Sequence, residues 1–184
     1  MTYKRNNSGF TLIELLVVIA IIGIISGVVI QSLNSARQKS RNATRLSQID
    51  QISKAFEVSA TVTGTNQLPS MGSTPAWVCL GASTCASGTL NGNTGVNSAL
   101  SAGIAGGSIP KDPSFAIGIG DYYLYNPNIA NITTGGCTAA TCPAGAYLSW
   151  VVENNGSCGR GLSWLPSVNG VGNNQCILRI GNGV

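Results

Sequence analysis

Glu14 is the residue whose surroundings most directly imply chemistry. It lies in an apolar segment, residues 10–30, that contains no other ionisable side chain. A carboxylate inserted into a bilayer within such a segment costs roughly 2.5–3.5 kcal/mol on insertion scales. Carboxylates at that depth therefore usually pair with a cation, and the segment itself supplies none. The sequence predicts that Glu14 has a partner.

The cysteines form a second chemically informative set. The chain has six of them and no histidine, and all six follow the apolar segment in a region rich in Gly, Ser, Thr and Asn. Such an even number predicts disulfides formed in an oxidising compartment. Zinc is disfavoured, since the two short spacings exceed those of typical structural zinc cysteines. Pairing between neighbours in sequence is favoured because it closes small loops. It gives Cys79–Cys85, Cys137–Cys142 and Cys158–Cys176.

The absence of histidine also weighs against an enzyme. Histidine is the commonest general acid or base, and it activates the nucleophile in Ser-His-Asp and Cys-His arrangements. The carboxylates Asp112, Asp121 and Glu153 are too few and too scattered to indicate a catalytic pair. The sequence therefore predicts no enzymatic activity.

Charge patterning weighs against a nucleic-acid interface. Only 9% of the residues are charged, and the formal net charge is +4. Most basic residues flank the apolar segment, so the region beyond Thr61 lacks the broad basic surface that nucleic acid requires. The three tryptophans are interpreted as core or subunit contacts rather than as a base-stacking platform.

The apolar segment is predicted to be the first part of one long helix. About 21 residues at 1.5 Å each span the roughly 30 Å hydrocarbon core of a bilayer. The helical pattern then continues to about Val58, with apolar or small residues recurring every three or four positions as a stripe along one side of the helix. The charged residues, Arg45 among them, lie mostly outside this stripe. The stripe consists of Leu33, Ala36, Ser40, Ala43, Leu46, Ile49, Ile52 and Phe56.

Beyond Gly64 the sequence changes to short segments punctuated by Gly, Pro and Asn-Gly steps. The stretch 86–107 is predicted to be a loop, with a helical turn near Ser98–Ile104. A small antiparallel sheet is marginal alone, so we expect it to pack on the distal half of the long helix with disulfide reinforcement. The predicted fold is α+β. The expected strands are Ala76–Leu80, Tyr122–Tyr125, Ala146–Val152 and Cys176–Ile180.

The residues around Glu14 resemble a known processing site. Ser8-Gly9-Phe10-Thr11-Leu12-Ile13-Glu14, after a short leader that contains Lys4 and Arg5, is similar to the site of type IV prepilins and type II secretion pseudopilins. The resemblance implies that prepilin peptidase cuts between Gly9 and Phe10 and methylates the new amine of Phe10. It also implies four segments. These are a leader (1–9), a transmembrane and filament-core helix (10–30), its extramembrane continuation (31–63) and a globular β-rich head (64–184).

The resemblance also implies a role for Glu14. In a filament of axially offset subunits, Glu14 of one chain is expected to pair with the Phe10 ammonium of its neighbour. The implied function is a structural pilin that polymerises with itself and other pilins, through a membrane platform protein and an assembly ATPase. The alternatives are a type II secretion pseudopilin, and a minor pilin or tethered binding module, including one for DNA uptake.

Localisation follows from the same resemblance and from the cysteines. We expect a single-pass inner-membrane protein with a cytoplasmic leader, which later joins an extracellular or periplasmic filament. The positive-inside rule is not cleanly obeyed, because four basic residues lie between Arg37 and Arg45. The cysteines favour an exported head.

A weaker resemblance concerns calcium. The string Ile109-Pro110-Lys111-Asp112-Pro113, followed by aromatic residues, is similar to a segment of major pseudopilins, which often bind calcium nearby. Asp112 and Asp121 are the candidate ligands, with carbonyl oxygens completing the shell. Alternatively, Asp112 before Pro113 opens a turn. No other cofactor is expected.

Overall fold

The computed structural model describes residues 9–62, 67–70, 76–82, 85, 90–113, 123–130, 132–168 and 172–182. Of the predicted leader, only Gly9 belongs to the described residues. The chain divides into two compact units between Arg37 and Gln38. The second unit begins well before the predicted head boundary at residue 64, because the distal part of the long helix belongs to it.

Helix α1 spans Leu12–Val62 as one continuous element, a few residues longer than predicted. The sequence favours this continuity, since no proline occurs before Leu68 and no glycine occurs between Gly27 and Gly64. It is the one described helix that is long and apolar enough to cross a membrane, by length and composition. Its apolar side chains up to Ile30 are exposed in the isolated chain.

Only the distal part of the predicted stripe is buried. Ile49, Ile52 and Phe56 are almost completely buried, whereas Leu33 remains 46% exposed. Arg45, which lies off the predicted stripe, is nevertheless fully buried in the second unit.

The sheet is antiparallel and has five strands in the order β1-β2-β3-β5-β4. It confirms the predicted α+β fold. Strands β3 and β5 extend the predicted segments slightly, whereas β1 is shorter than expected. The strands are β1 (Val78–Cys79), β2 (Leu124–Ile129), β3 (Gly145–Val152), β4 (Leu162–Val168) and β5 (Asn173–Gly181).

Three elements differ more clearly from the predictions. Strand β2 runs past its predicted end at Tyr125 to Ile129. Strand β4 was missed because Pro166 argues against a central strand, but β4 lies at the sheet edge, where proline is tolerated. The predicted loop contains helix α2, Thr94–Gly103, which is longer than the expected turn. Asn93 caps α2 by accepting a hydrogen bond of 3.0 Å from Val96 N.

The core of the second unit lies between α1 and the sheet. Phe56 of α1 stacks on Tyr125 of β2 with ring centroids 4.5 Å apart, and Leu148 and Trp150 of β3 complete the layer. The disulfides have the pairing favoured from the sequence. They join Cys79 to Cys85, Cys137 to Cys142 and Cys158 to Cys176.

Candidate functional site

Thr11 and Glu14 form a reciprocal cap at the start of α1. Thr11 N and Thr11 Oγ1 each donate a hydrogen bond of 2.8 Å to Glu14 Oε2. In return, Glu14 N donates to Thr11 Oγ1 at 3.3 Å. This is the capping-box arrangement, in which an N-cap threonine and a glutamate three residues later satisfy each other's backbone N–H groups. The helix therefore begins at Leu12.

The cap determines where the Glu14 carboxylate lies. Both hydrogen bonds from Thr11 end on Oε2, and no described residue donates a hydrogen bond to Oε1. The carboxylate lies at the positive end of the helix dipole, which favours a negative charge there. The sequence analysis singled out Glu14 but missed its cap, although the Thr-x-x-Glu spacing is the signal for one.

The surroundings of Glu14 are apolar. Phe10, Ile13, Val17 and Val18 line a concave surface together with Glu14. Phe10 is 85% exposed. A Cβ built on Gly9 meets no atom within 4 Å, so the bond between Gly9 and Phe10 is sterically open in this chain. The nitrogen of Phe10 is an amide in this chain and carries no charge, so it forms no ion pair with the carboxylate.

A second set of charged residues lies at the start of the second unit. We call Arg41, Asn42, Arg45, Asp112 and Glu153 the arginine cluster. Arg45 binds both oxygens of Asp112, with Nε–Oδ2 at 2.7 Å and Nη2–Oδ1 at 2.9 Å. Its third bond, Nη1 to Glu153 Oε1, measures 2.8 Å. The cluster joins α1 to the segment that contains Asp112 and to the end of β3.

Arg41 and Asn42 complete the contacts of Glu153. Arg41 binds both carboxylate oxygens, with Nε–Oε1 at 2.8 Å. Asn42 Nδ2 donates to the Glu153 carbonyl at 2.9 Å, and Glu153 N donates to Asn42 Oδ1 at 3.0 Å. Two of the basic residues that follow the apolar segment, Arg41 and Arg45, are therefore paired with carboxylates within the fold.

Three members of the cluster, Arg41, Arg45 and Glu153, have pKa values shifted towards their charged forms. The hydrogen bond from Arg41 lowers the pKa of Glu153 below its ordinary value, against the effect of burial, and Arg45 adds to the shift. Burial opposes the charge of Arg45, but hydrogen bonds and attraction from Asp112 and Glu153 outweigh it and raise the pKa of Arg45. Arg41, Arg45 and Glu153 are therefore charged at neutral pH.

Only one of the two calcium candidates, Asp112, belongs to the described residues. Both oxygens of Asp112 accept hydrogen bonds from Arg45, and its side chain is 1% exposed. Asp121 lies outside the described residues. In the part of the chain that is described, no three His, Cys, Asp or Glu residues cluster in a way that could hold a metal ion. Calcium binding stays a prediction.

Comparison with known proteins bears on the N-terminal segment. Residues 4–30 match the family model described as the prokaryotic N-terminal methylation motif. This motif is the signature of type IV pilins and pseudopilins, so the predicted resemblance is confirmed for that segment. It marks a structural class of subunit and implies a prepilin peptidase substrate that assembles with other pilins. No curated protein and no solved structure matches the chain.

Proposed function

From the methylation motif on residues 4–30, we propose that this chain is a pilin, a structural subunit of a type IV pilus-like filament. Prepilin peptidase cleaves it between Gly9 and Phe10 and methylates the amine of Phe10. The mature chain is held in the inner membrane by α1 with its head outside the cytoplasm. A platform protein and an assembly ATPase then polymerise it. The proposal gives the head no catalytic role and no nucleic-acid ligand.

The geometry of Glu14 carries the proposal. Its carboxylate is fixed by Thr11 through Oε2, which leaves Oε1 without a hydrogen bond from any described residue. The apolar side chains around it are those that a membrane or neighbouring helices would cover. Once a membrane or neighbouring helices cover these side chains, a cation that arrives there meets a positioned acceptor that has lost its water. The Phe10 ammonium of a neighbouring subunit is such a cation.

Electrostatics explains why this pairing would set the filament register. A buried charge without a partner is strongly destabilising, whereas a paired one is tolerated. Subunits whose axial offset brings Glu14 to the neighbouring ammonium avoid that penalty, and other offsets do not. The exposed apolar side chains of residues 10–30 supply packing area but little register of their own, since they resemble one another along the helix.

The test is a Glu14→Gln variant, which keeps the shape of the side chain and removes its charge. We expect normal membrane insertion and normal N-terminal processing, with filament yield reduced at least about tenfold, since breaking a buried pair costs several kcal/mol. Glu57→Gln is the matched control, because Glu57 is an exposed residue of the same helix. Normal filament yield from Glu14→Gln would disprove the pairing.

Processing is tested separately by intact mass and N-terminal analysis of the native protein. A chain that begins at methylated Phe10 and lacks six hydrogens for three disulfides is the expected result. A chain that still begins at Met1 would overturn the pilin proposal.

A secretion pseudopilin would carry the same N-terminal site, so the site does not favour one filament over the other. We place the pilus first because the head combines three disulfides with few charges, a composition suited to an exposed surface. Recovery of the mature chain in filaments sheared from the cell surface supports the pilus. Recovery only from the periplasm supports the pseudopilin, and recovery only in trace amounts at filament ends indicates a minor pilin.

A further inference from the structure

An open cleft of about 630 Å³ lies in the second unit beside helix α2. A volume of this size suits a small-molecule site. Thr94, Ser98 and Ser101 of α2 line it, and their spacing of three or four residues places them on one side of the helix. The bend at Gly81 and the segment 107–111 contribute the other described walls. No residue of the arginine cluster lines this cleft.

The wall at the bend is held in place by Asn97 of α2. Asn97 Oδ1 accepts a hydrogen bond of 3.1 Å from Gly81 N, and Asn97 Nδ2 donates one of 3.1 Å to Ala82 O. Gly81 has a φ of +78°, and a Cβ built there would lie 3.3 Å from two side-chain atoms of Ile109. The cleft is therefore formed before a ligand arrives, which lowers the cost of binding.

Hydroxyl groups are the main polar side-chain groups of the cleft. Thr94, Ser98 and Ser108 are exposed, and their hydroxyls form no hydrogen bond with a described residue. Ser101 Oγ donates to Ser98 O at 3.0 Å and can still accept a hydrogen bond. A hydroxyl both donates and accepts, so this set of groups matches a ligand that also does both. A polyol is such a ligand.

Lys111 supplies the one charged side chain on the described lining. It is exposed and forms no ion pair with a described residue. The adjacent Asp112 does not neutralise it, because both carboxylate oxygens of Asp112 accept hydrogen bonds from Arg45. Among the described residues, no carboxylate lines the cleft. The charge therefore favours an anion, and a metal cation would lack its usual oxygen ligands.

We infer that this cleft binds a small anionic polyol, a sugar acid, whose carboxylate pairs with Lys111 and whose hydroxyls bind those of the cleft. An apolar ligand would cover the hydroxyls without replacing their bonds to water. A nucleobase would find no aromatic side chain on the described lining to stack on. This site is additional to the proposed function and does not require polymerisation.

The test uses the full chain in lipid nanodiscs and saturation-transfer difference NMR, with empty nanodiscs as the blank. The probe is D-glucuronate, and the comparison compound is D-glucose, which has the same ring hydroxyls but no carboxylate. We expect D-glucuronate to bind saturably and about 3- to 10-fold more tightly than D-glucose, because a hydrogen bond between two charged groups is stronger than a neutral one. Absence of saturable D-glucuronate binding, or equal affinity for the two sugars, would overturn the inference.

A charge variant tests the role of Lys111. Lys111→Gln should lower the affinity for D-glucuronate to that for D-glucose and leave the affinity for D-glucose unchanged. Lys54→Gln is the matched control, because Lys54 is an exposed residue of α1 that does not line the cleft. If Lys111→Gln binds D-glucuronate as tightly as the parent, the assigned ion pair is wrong.

A filling variant tests the location. Ser98→Trp should abolish binding of both sugars, whereas Ser47→Trp changes an exposed serine of α1 outside the cleft and should leave binding intact. Both serines are exposed, so neither substitution disturbs the core. Binding that survives in Ser98→Trp would place the sugar elsewhere and contradict the inference.

A free sugar acid and the terminal residue of an acidic glycan present the same chemistry. Methyl β-D-glucuronide distinguishes these sources, because its anomeric oxygen is blocked as it is in a glycan. Equal affinity for the glycoside and for D-glucuronate identifies a glycan end as the ligand. Loss of glycoside binding alone identifies the free sugar acid.

Discussion

Glu14 Oε2 accepts hydrogen bonds from both the amide nitrogen and the hydroxyl of Thr11, each 2.8 Å long. The glutamate that the apolar segment seemed to leave without a partner thus has one within its own chain. This contact satisfies a backbone N–H that the start of a helix otherwise leaves unpaired. Under the proposed function, the same carboxylate serves two partners through its two oxygens.

The first prediction concerns Thr11. Thr11→Val removes the hydroxyl and should cost about 1 kcal/mol at the start of α1, the usual cost of losing an N-cap. Since Glu14 keeps its charge, we expect reduced but measurable filament yield, well above that of Glu14→Gln. Quantification of sheared filaments checks this, with Thr11→Ser as the control that retains the hydroxyl. A Thr11→Ser yield as low as that of Thr11→Val would contradict a capping role.

The second prediction concerns Arg45. Arg45→Met removes the guanidinium that binds Asp112 and Glu153 at a fully buried position, and should lower the free energy of unfolding by about 3–5 kcal/mol. The same substitution at Arg160 breaks an exposed ion pair with Asp50 and should cost less than about 1 kcal/mol. Urea unfolding followed by near-ultraviolet circular dichroism compares them. Equal losses of unfolding free energy in Arg45→Met and Arg160→Met would mean that the arginine cluster stabilises the fold no more than the exposed ion pair does.

The third prediction concerns acid. Because Arg41 lowers the pKa of Glu153 below its ordinary 4.5, the folded chain binds fewer protons at this site than the unfolded chain does. The stabilisation is therefore complete above about pH 4.5 and is lost as the pH falls through the lowered pKa. Unfolding midpoints between about pH 3 and pH 6 should fall less steeply in Glu153→Gln than in the parent. Identical slopes would rule out Glu153 as the acid-sensitive group.

The fourth prediction concerns alkali. Burial raises the pKa of Tyr123 and Tyr125 above their ordinary 10.0, with the charge of Asp112 adding to the shift of Tyr123. Their contribution to stability is full below about pH 10 and decreases above it, because the unfolded chain ionises first. Phenolate absorbance should show at least two tyrosines that titrate later in the folded chain than in urea. Coincident titration curves would contradict the burial of these hydroxyls.

Periodicity and residue type were sufficient to predict α1, the strands β3 and β5 and the disulfide pairs. These elements depend on local patterns, so a single sequence contains their signal. Strand β4 was not predictable from its own residues, since Pro166 fits a strand only at a sheet edge or a bulge, and both are tertiary properties. Helix α2 lies in a glycine-containing stretch, and its Val96 and Leu100 are buried only because the rest of the unit covers them.

The arginine cluster was also not predictable from the local sequence. Nothing near Arg45 in sequence indicates burial, because its two carboxylate partners lie 67 and 108 residues further along the chain. A charged residue on a helix is normally assigned to solvent, and only long-range pairing reverses that assignment. The Glu14 site differs, since both Thr11 and Glu14 are neighbours in the chain and their spacing alone predicts the cap.

The two edges of the sheet determine how readily closely spaced copies of the chain pair strand to strand. At one edge β1 has only two residues, Val78–Cys79, and is fastened by the Cys79–Cys85 disulfide. At the other edge β4 contains Pro166, which has no N–H to offer, and its pairing with β5 is irregular on both sides of Leu165. Short, irregular and proline-containing edges resist strand addition from another molecule. Under the proposed function, neighbouring heads at the high local concentration along a filament are therefore protected from edge-to-edge aggregation.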